Sequence, residues 1–283
     1  MAGTPPPQIV RTRAELRAAL SAAARPVGLV PTMGALHDGH ISLIRRARAE
    51  NATVVISIFV NPRQFNEAAD FEKYPRDEAA DVRLVGGAGA DLVFAPTVEE
   101  IYPAGFQTTV RVGALTESLE GAARPGHFEG VTTVVAILLG LSGAERAYFG
   151  QKDAQQLLVV RRMAADLGIA TEIVACPIVR EPDGLALSSR NVLLSPEARA
   201  AAPVLHRALM AARAAYDAGE RDGEVLRAAM RATLAAEPLG TPEYVSCADP
   251  ATLVELNRIG GPALLSMAVR FGRVRLIDNE PLP

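Results

Sequence analysis

Residues 27–49 read VGLVPTMGALHDGHISLIRRARA, and their pattern decides the fold class. A short apolar run ends at Pro31. The small-residue turn Thr32-Met33-Gly34-Ala35-Leu36 follows, then His37-Asp38-Gly39-His40. From there Ile41, Leu43, Ile44 and Ala47 recur at helical spacing, with Arg45, Arg46 and Arg48 between them. Buried strand, Gly-bearing turn and amphipathic helix form the repeating unit of a parallel α/β sheet. In such a sheet the turn lies at the carboxyl end of the strand, where ligands bind. The helix start also offers unbonded N–H groups and the positive end of a dipole to a phosphate. His37 and His40, three apart, fall on one face of the first turn. Two imidazoles there suit the charge that builds when a nucleotide α-phosphate is attacked. Two polar residues at a surface helix cap is the competing reading. Zinc fits poorly: His127, His206, Cys176 and Cys247 lack ligand spacing toward this pair.

The same arrangement recurs along the chain. Residues 53–60, TVVISIFV, are β-branched and apolar, as in a strand buried on both faces. They run into Asn61-Pro62-Arg63-Gln64-Phe65, where Asn61 and Gln64 offer donors and acceptors to a small hydroxy acid or form an Asx turn. Residues 146–149, RAYF, run into Gly150-Gln151-Lys152-Asp153-Ala154-Gln155-Gln156. Lys152 is a compact cation for a phosphate, Asp153 suits a ribose hydroxyl or a helix cap, and Gln156 points the same way one turn on. A helix cap with a solvated lysine is the alternative, but His40, Gln64 and Lys152 on one rim favour function.

Bulk properties narrow the class. The chain has 283 residues and a net charge of −3, enough length for two modest domains and no basic footprint for nucleic acid. Two distant cysteines give no disulfide framework and read as cytoplasmic. The opening MAGTPPPQIV lacks a secretory pattern, and its Pro5-Pro6-Pro7 reads as an extended or disordered leader. The apolar run Val131–Leu141 is too short for a membrane span and reads as a buried helix.

Other elements follow the same logic. Thr12 and Glu15 form a capping box for a first helix. Asp77, Glu78 and Asp81 read as a solvated acidic start to a helix over 76–85. Residues 90–96 and 171–179 read as strands, and 108–112 as an edge strand of a rim insertion. His127 suits a backbone carbonyl, and Cys176 and Cys247 read as buried inert thiols. Arg180 to Gly184 reads as a hinge-like linker. Beyond it, helices to about Tyr216 and over 222–236, then strands at 244–248, 263–271 and 274–277, form a second domain. The expected fold is thus a Rossmann-like parallel sheet domain, 1–180, followed by a smaller α+β domain, 181–283, serving as a lid.

PTMGALHDGH, FVNPRQFNEAADFEKYPR, FGQKDAQQ and LSSRN, with RPGHFEGV and RLIDN, resemble the pantothenate synthetase (pantoate–β-alanine ligase) family. That family belongs to the HIGH-motif nucleotidyltransferases, relatives of class I aminoacyl-tRNA synthetases. The resemblance covers nearly the whole chain. It implies ATP-dependent condensation of pantoate with β-alanine through a pantoyl adenylate, with Mg²⁺, in a cytoplasmic homodimer. It implies ATP contacts at Met33, Gly34, Ala35, Leu36, His37, Asp38, Gly39 and His40, and again at Gly150, Gln151, Lys152 and Asp153. It extends them to Val179, Leu187, Ser188, Ser189 and Arg190. Gln64 and Gln156, with Asn61 nearby, would take pantoate and β-alanine. His40, with His37, Lys152 and Arg190, would carry catalysis, and no direct protein ligand to the metal is assigned. Asp81 alone is placed near the family's acidic Mg²⁺ region, with Ala80 and Leu84 where relatives can be polar. Further departures are Leu187 for Met, Ile137 for Lys, Gly140 for a polar residue and Ala144-Glu145 for Pro-Asp. A nucleotidyltransferase making a dinucleotide or charging tRNA, and a nucleotide-binding regulator without turnover, are the alternatives.

Overall fold

The structure, a computed structural model, describes residues 6–66 and 68–283. The proline leader therefore lies partly outside the described residues. Six strands, β1 Gln8–Val10, β2 Val27–Thr32, β3 Thr53–Ile58, β4 Leu92–Phe94, β5 Arg146–Gly150 and β6 Glu172–Cys176, form one sheet in the order β1-β4-β3-β2-β5-β6. Every pairing in it is parallel. Helices α1 Arg13–Ser21, α2 Asp38–Glu50, α3 Ala68–Lys73, α4 Glu78–Ala88, α5 Val98–Ile101, α6 Leu119–Ala123, α7 His127–Ser142 and α8 Ala154–Asp166 connect the strands. Adjacent residues of one strand serve opposite faces, because the side-chain period is two. Leu29 packs with Leu16 and Leu138 on one side, while Val30 packs with Ile44 and Val85 on the other. This is the doubly wound α/β sheet expected from the strand–turn–helix repeats.

The strand order places the binding edge. β3 lies on one side of β2 and β5 on the other, so the chain changes direction at β2. β2 stays in register with β3 to Thr32, but with β5 only at Gly28 and Leu29. Beyond Leu29 the two strands part, which is where Pro31, with no N–H to offer, is tolerated in an interior strand. The turn after β2 opens at this switch point.

The second compact unit holds Pro177–Pro283 and also Gln151–Ala154; the first holds the residues up to Gly150 and Gln155–Cys176. In the second unit α9 Pro196–Ala201, α10 Val204–Asp217 and α11 Gly223–Ala235 precede an antiparallel sheet. Its strands are β7 Gly240–Ala248, β8 Ala263–Phe271 and β9 Val274–Leu282. Leu209, Met230, Leu265 and Leu276 meet in its core. Cys247 is buried there, and burial pushes its thiol up to about 11.

Several local expectations are corrected. The strand expected over 171–179 stops at Cys176, because Pro177 has no N–H for a ladder. Residues 108–112 form no strand; Val110 is held instead by the hydroxyls of Thr133 (3.0 Å) and Thr132 (2.6 Å) on α7. α7 starts at His127, ahead of the apolar run that signalled it, and ends at Gly143 in the left-handed region. Arg180 to Gly184 is no loose hinge. Arg180 makes a two-pronged ion pair with Asp278, at 2.6 and 2.9 Å, and Arg199 grips Glu181 and Asp183.

Candidate active site

The turn after β2 is closed from below by a carboxylate. Asp81, on α4, accepts the Ala35 N–H at 3.0 Å and the Leu36 N–H at 2.9 Å. It is only 4 % exposed, so the expected solvated acidic helix start is corrected at this residue. Burial pushes its carboxyl upward, against the pull of the two N–H groups. Gly34 and Ala35 adopt positive φ, +80° and +51°. A Cβ on Gly34 would meet Asp81 Oδ2 at 2.7 Å, so the close approach requires glycine.

The two histidines cap α2 reciprocally. Nδ1 of His37 accepts the Gly39 N–H at 3.2 Å, and Nδ1 of His40 accepts the His37 N–H at 3.4 Å. A ring whose Nδ1 accepts carries its proton, when neutral, on Nε2. Both rings therefore donate at Nε2, and their centroids lie 4.2 Å apart. The Gly34 N–H bonds to Thr32 Oγ1 and the His40 N–H to the His37 carbonyl. The expectation of open backbone N–H groups at this helix start is thus corrected at Gly34, Ala35, Leu36, His37, Gly39 and His40. The imidazoles sit at the positive end of the α2 dipole.

The turn after β3 is built around Asn61, which is 1 % exposed. Its Oδ1 accepts from the Arg63 N–H and from the Tyr102 hydroxyl at 2.8 Å. Its Nδ2 donates to the Gly130 carbonyl and to Gln64 Oε1, both at 3.0 Å. All four positions of the amide are occupied by protein. Asn61 thus orients Gln64, whose Nε2 lies 3.0 Å from Met33 Sδ. Burial pushes the Tyr102 hydroxyl up to about 12, so it stays a donor. From above, the Gln64 carbonyl receives Arg124 (3.2 Å) and His127 Nδ1 (2.9 Å). Arg124 also faces His127 Nε2 at 3.0 Å, which puts the His127 proton on Nδ1. The carbonyl role expected of His127 is the one it plays. Gly130 lets α7 approach this turn, since a Cβ would sit 2.3 Å from the Arg63 carbonyl.

The two glutamines of α8 divide the work. Gln155 is buried and spends its amide on Leu115, Ser118 and the Glu120 N–H. Gln156 is half-buried, and its side chain has no hydrogen-bond partner among the described residues.

In the second unit, Gln151–Asp153 form one 3-10 turn. Asn279 of β9, 2 % exposed, donates through Nδ2 to the carbonyls of Gln151 and Lys152, each at 2.9 Å. Its Oδ1 accepts from Gln151 Nε2 at 3.2 Å. Lys152 Nζ lies 3.9 Å from Asp153 Oδ1, a long and weak pairing. Val179 receives the Leu187 N–H at 2.9 Å, and Arg180 pairs with Ala186. These bonds fix the root of the segment Leu187-Ser188-Ser189-Arg190. Ser188 Oγ accepts the Arg190 N–H at 3.2 Å, and the exposed Arg190 side chain has no carboxylate partner among the described residues.

The family model for pantoate-beta-alanine ligase matches residues 8–281. The chain belongs to the pantoate-beta-alanine ligase family. Pantothenate synthetase of Chloroflexus aggregans is 63 % identical over 96 % of this chain and 98 % of its own. That of Roseiflexus castenholzii is 58 % identical over 96 % and 98 %. The crystal structure of pantothenate synthetase from Thermus thermophilus matches with a TM-score of 0.92 at 53 % identity, covering 96 % of this chain and 98 % of that one. The Francisella tularensis ligase, solved with β,γ ATP and β-alanine, matches with a TM-score of 0.78 at 33 % identity, over 97 % of each chain.

The acidic region of this ligase does not form a metal cage. Both Asp81 oxygens are taken by backbone N–H groups, and no cluster of three His, Cys, Asp or Glu fit to hold a metal occurs among the described residues. No helix among them is long and apolar enough to cross a membrane. The sequence does not show the bracing roles of Asp81, Tyr102, Asp278 and Asn279. Their partners lie far off in sequence, and the one available signal was the polar Asp-Asn pair interrupting the apolar strand β9.

Proposed function

We propose that the chain condenses pantoate with β-alanine in two steps. A pantoate carboxylate oxygen attacks the α-phosphorus of ATP, the bond to the bridging oxygen of the β-phosphate breaks, and pyrophosphate leaves. The β-alanine amine then attacks the acyl carbon of the pantoyl adenylate, the acyl–oxygen bond to AMP breaks, and the amine loses its proton. No protein nucleophile is required; the residues position anions and offset their repulsion.

The observation that carries this reading is the fixed Nε2–H of His37 and His40 at the carboxyl end of β2. Donors whose rings are already oriented by capping bonds need little reorganisation during reaction. Lys152, Ser188, Ser189 and Arg190 are assigned to the β- and γ-phosphates. The remaining ATP contacts are Met33 to Gly39, Gly150, Gln151, Asp153, Val179 and Leu187. Gln64 and Gln156 are assigned to pantoate and β-alanine, with Asn61 holding Gln64. Nucleotide and pantoate binding belong to the first domain and a lid role to the second. Mg²⁺ enters in this reading with the phosphates of ATP and its own waters, as it does where no protein cage exists. A cytoplasmic homodimer completes the proposal, checked by sedimentation.

ATP–pyrophosphate exchange tests the reading, with pantoate present and β-alanine left out. Exchange that requires pantoate supports the adenylate. Exchange with another acid alone rejects the substrate, and ATP binding without exchange rejects the chemistry.

A further inference from the structure

Asp278 and Asn279 are neighbours on β9, so their side chains leave opposite faces of the sheet. Both are nearly fully buried, at 3 % and 2 % exposure. Asp278 lies opposite Met267 of the helix-facing core, and Asn279 opposite Ser266. A strand interior rarely carries two adjacent buried polar side chains unless each has partners. Here each grips a different loop. Asn279 holds two successive carbonyls of Gln151 and Lys152 and also the Gln151 amide. Asp278 holds the Arg180 guanidinium by two bonds, and Arg180 in turn bonds the Gly184 carbonyl at 3.0 Å and pairs with Ala186. Asp278 Oδ1 also accepts the Asn279 N–H at 2.9 Å, which ties the two grips together.

We infer that the Asp278–Asn279 pair is a positioning device for the ligase reaction, with Asn279 acting through Lys152 and Asp278 through the root of the 187–190 segment. This rests on the assignment of Lys152 to phosphate made above. A carboxamide is the side chain this position requires. Its NH₂ faces two carbonyl oxygens that a carboxylate would repel, and its oxygen faces an N–H donor. The loop at 151–154 belongs in sequence to the sheet domain, yet it packs with the second unit. Asn279 supplies the bonds that take it there.

The test is a double-mutant cycle read by pantoate-dependent ATP–pyrophosphate exchange. Asn279→Asp in the parent chain is expected to lower kcat by about 10²-fold, as a small misplacement of a catalytic group does, with KM for pantoate unchanged. In a Lys152→Ala background the same substitution is expected to cost less than about threefold, because groups acting as a unit are not additive. Asn279→Ser, which keeps a donor and adds no charge, serves as the second variant if the aspartate does not fold, and it is expected to retain the same coupling to Lys152. Full and equal cost in both backgrounds overturns the inference, since Asn279 would then act on the fold at large. A parent-like rate for Asn279→Asp also overturns it. A parent-like rate for Lys152→Ala alone would instead remove the phosphate role of Lys152, and the inference with it.

Discussion

Two turns carry the cationic and donor groups assigned to phosphate, and they are braced by opposite means. The turn after β2 aims backbone N–H groups inward at an anion, Asp81. The turn after β5 aims backbone carbonyls inward at an amide NH₂, Asn279. In the first turn the brace consumes backbone donors, at Ala35 and Leu36, and the imidazoles assigned to phosphate cap the helix that follows. In the second the brace consumes acceptors, the carbonyls of Gln151 and of the lysine assigned to phosphate, Lys152. The common lesson is that each of these loops is fixed by a buried side chain whose polarity matches the backbone groups turned toward it. A loop held by solvent alone would lose that order as the ligand's charge arrives.

Loss of a group at the front of a turn should cost at least as much as loss of its brace. His40→Ala is expected to lower exchange turnover by about 10²-fold or more, on the scale of a lost transition-state donor. Near-parent turnover in a folded variant would remove His40 from the chemistry.

The brace of the first turn is tested by reversing its polarity. Asp81→Asn sets an NH₂ against an N–H, and should cost about 1.5–3 kcal/mol of stability in urea unfolding, typical of a lost charged hydrogen-bond acceptor. KM for ATP should rise with it. Unchanged unfolding would show that the two N–H bonds contribute little. Gly34→Ala strains the same place from the other side. A left-handed φ and a contact at 2.7 Å from Asp81 make it costly, by about 1–2 kcal/mol from the backbone alone. A parent-like melting temperature would mean that the turn relaxes freely.

A smaller effect should separate ATP from pantoate. Tyr102→Phe removes one acceptor bond of Asn61 and should cost about 0.5–1.5 kcal/mol. KM for pantoate should rise a few-fold through Gln64, while KM for ATP stays put. A rise in both would show that the Asn61 network is not specific to the Gln64 side.

The smallest effect concerns pH. His206, on α10, has a buried Nδ1 with no hydrogen-bond partner. Burial first, then the nearby Arg180, push its pKa below the ordinary value, with Asp278 and Glu280 opposing. The unfolded chain therefore binds this proton at higher pH than the folded chain. The stabilising contribution is full above the unfolded value, about 6.5, and is lost as pH falls through the folded value. Urea midpoints should decline below about pH 6.5, and His206→Gln should flatten that slope. An equal slope in both proteins would clear His206. The braced carboxylates Asp183 and Glu243, held low, titrate in a more acid window.

Much of the fold was legible locally. The capping box at Thr12 and Glu15 and the strand–turn–helix at 27–50 depend on residues within one or two turns of each other, and they formed as read. Misreadings arose where a distant partner decided. Residues 108–112 have a strand's composition, but the hydroxyls of α7 hold them. Asp81 has the sequence setting of a solvated cap, but its partners lie 45 and 46 residues away.

The sequence by itself determined the α/β class, the switch-point turn with its two histidines, and the motif set that marks the family. These rest on short-range periodicity and residue chemistry, which the chain carries wherever it folds. Tertiary structure alone decided which polar groups are spent inside the protein and which remain to act. Gln155 and Gln156 are adjacent and chemically identical, yet burial consumes the first and leaves the second half-exposed. Asn279 reaches the lysine loop across 127 and 128 residues. Hydrogen-bond satisfaction of a buried group is a property of its surroundings in space, and no local pattern encodes it.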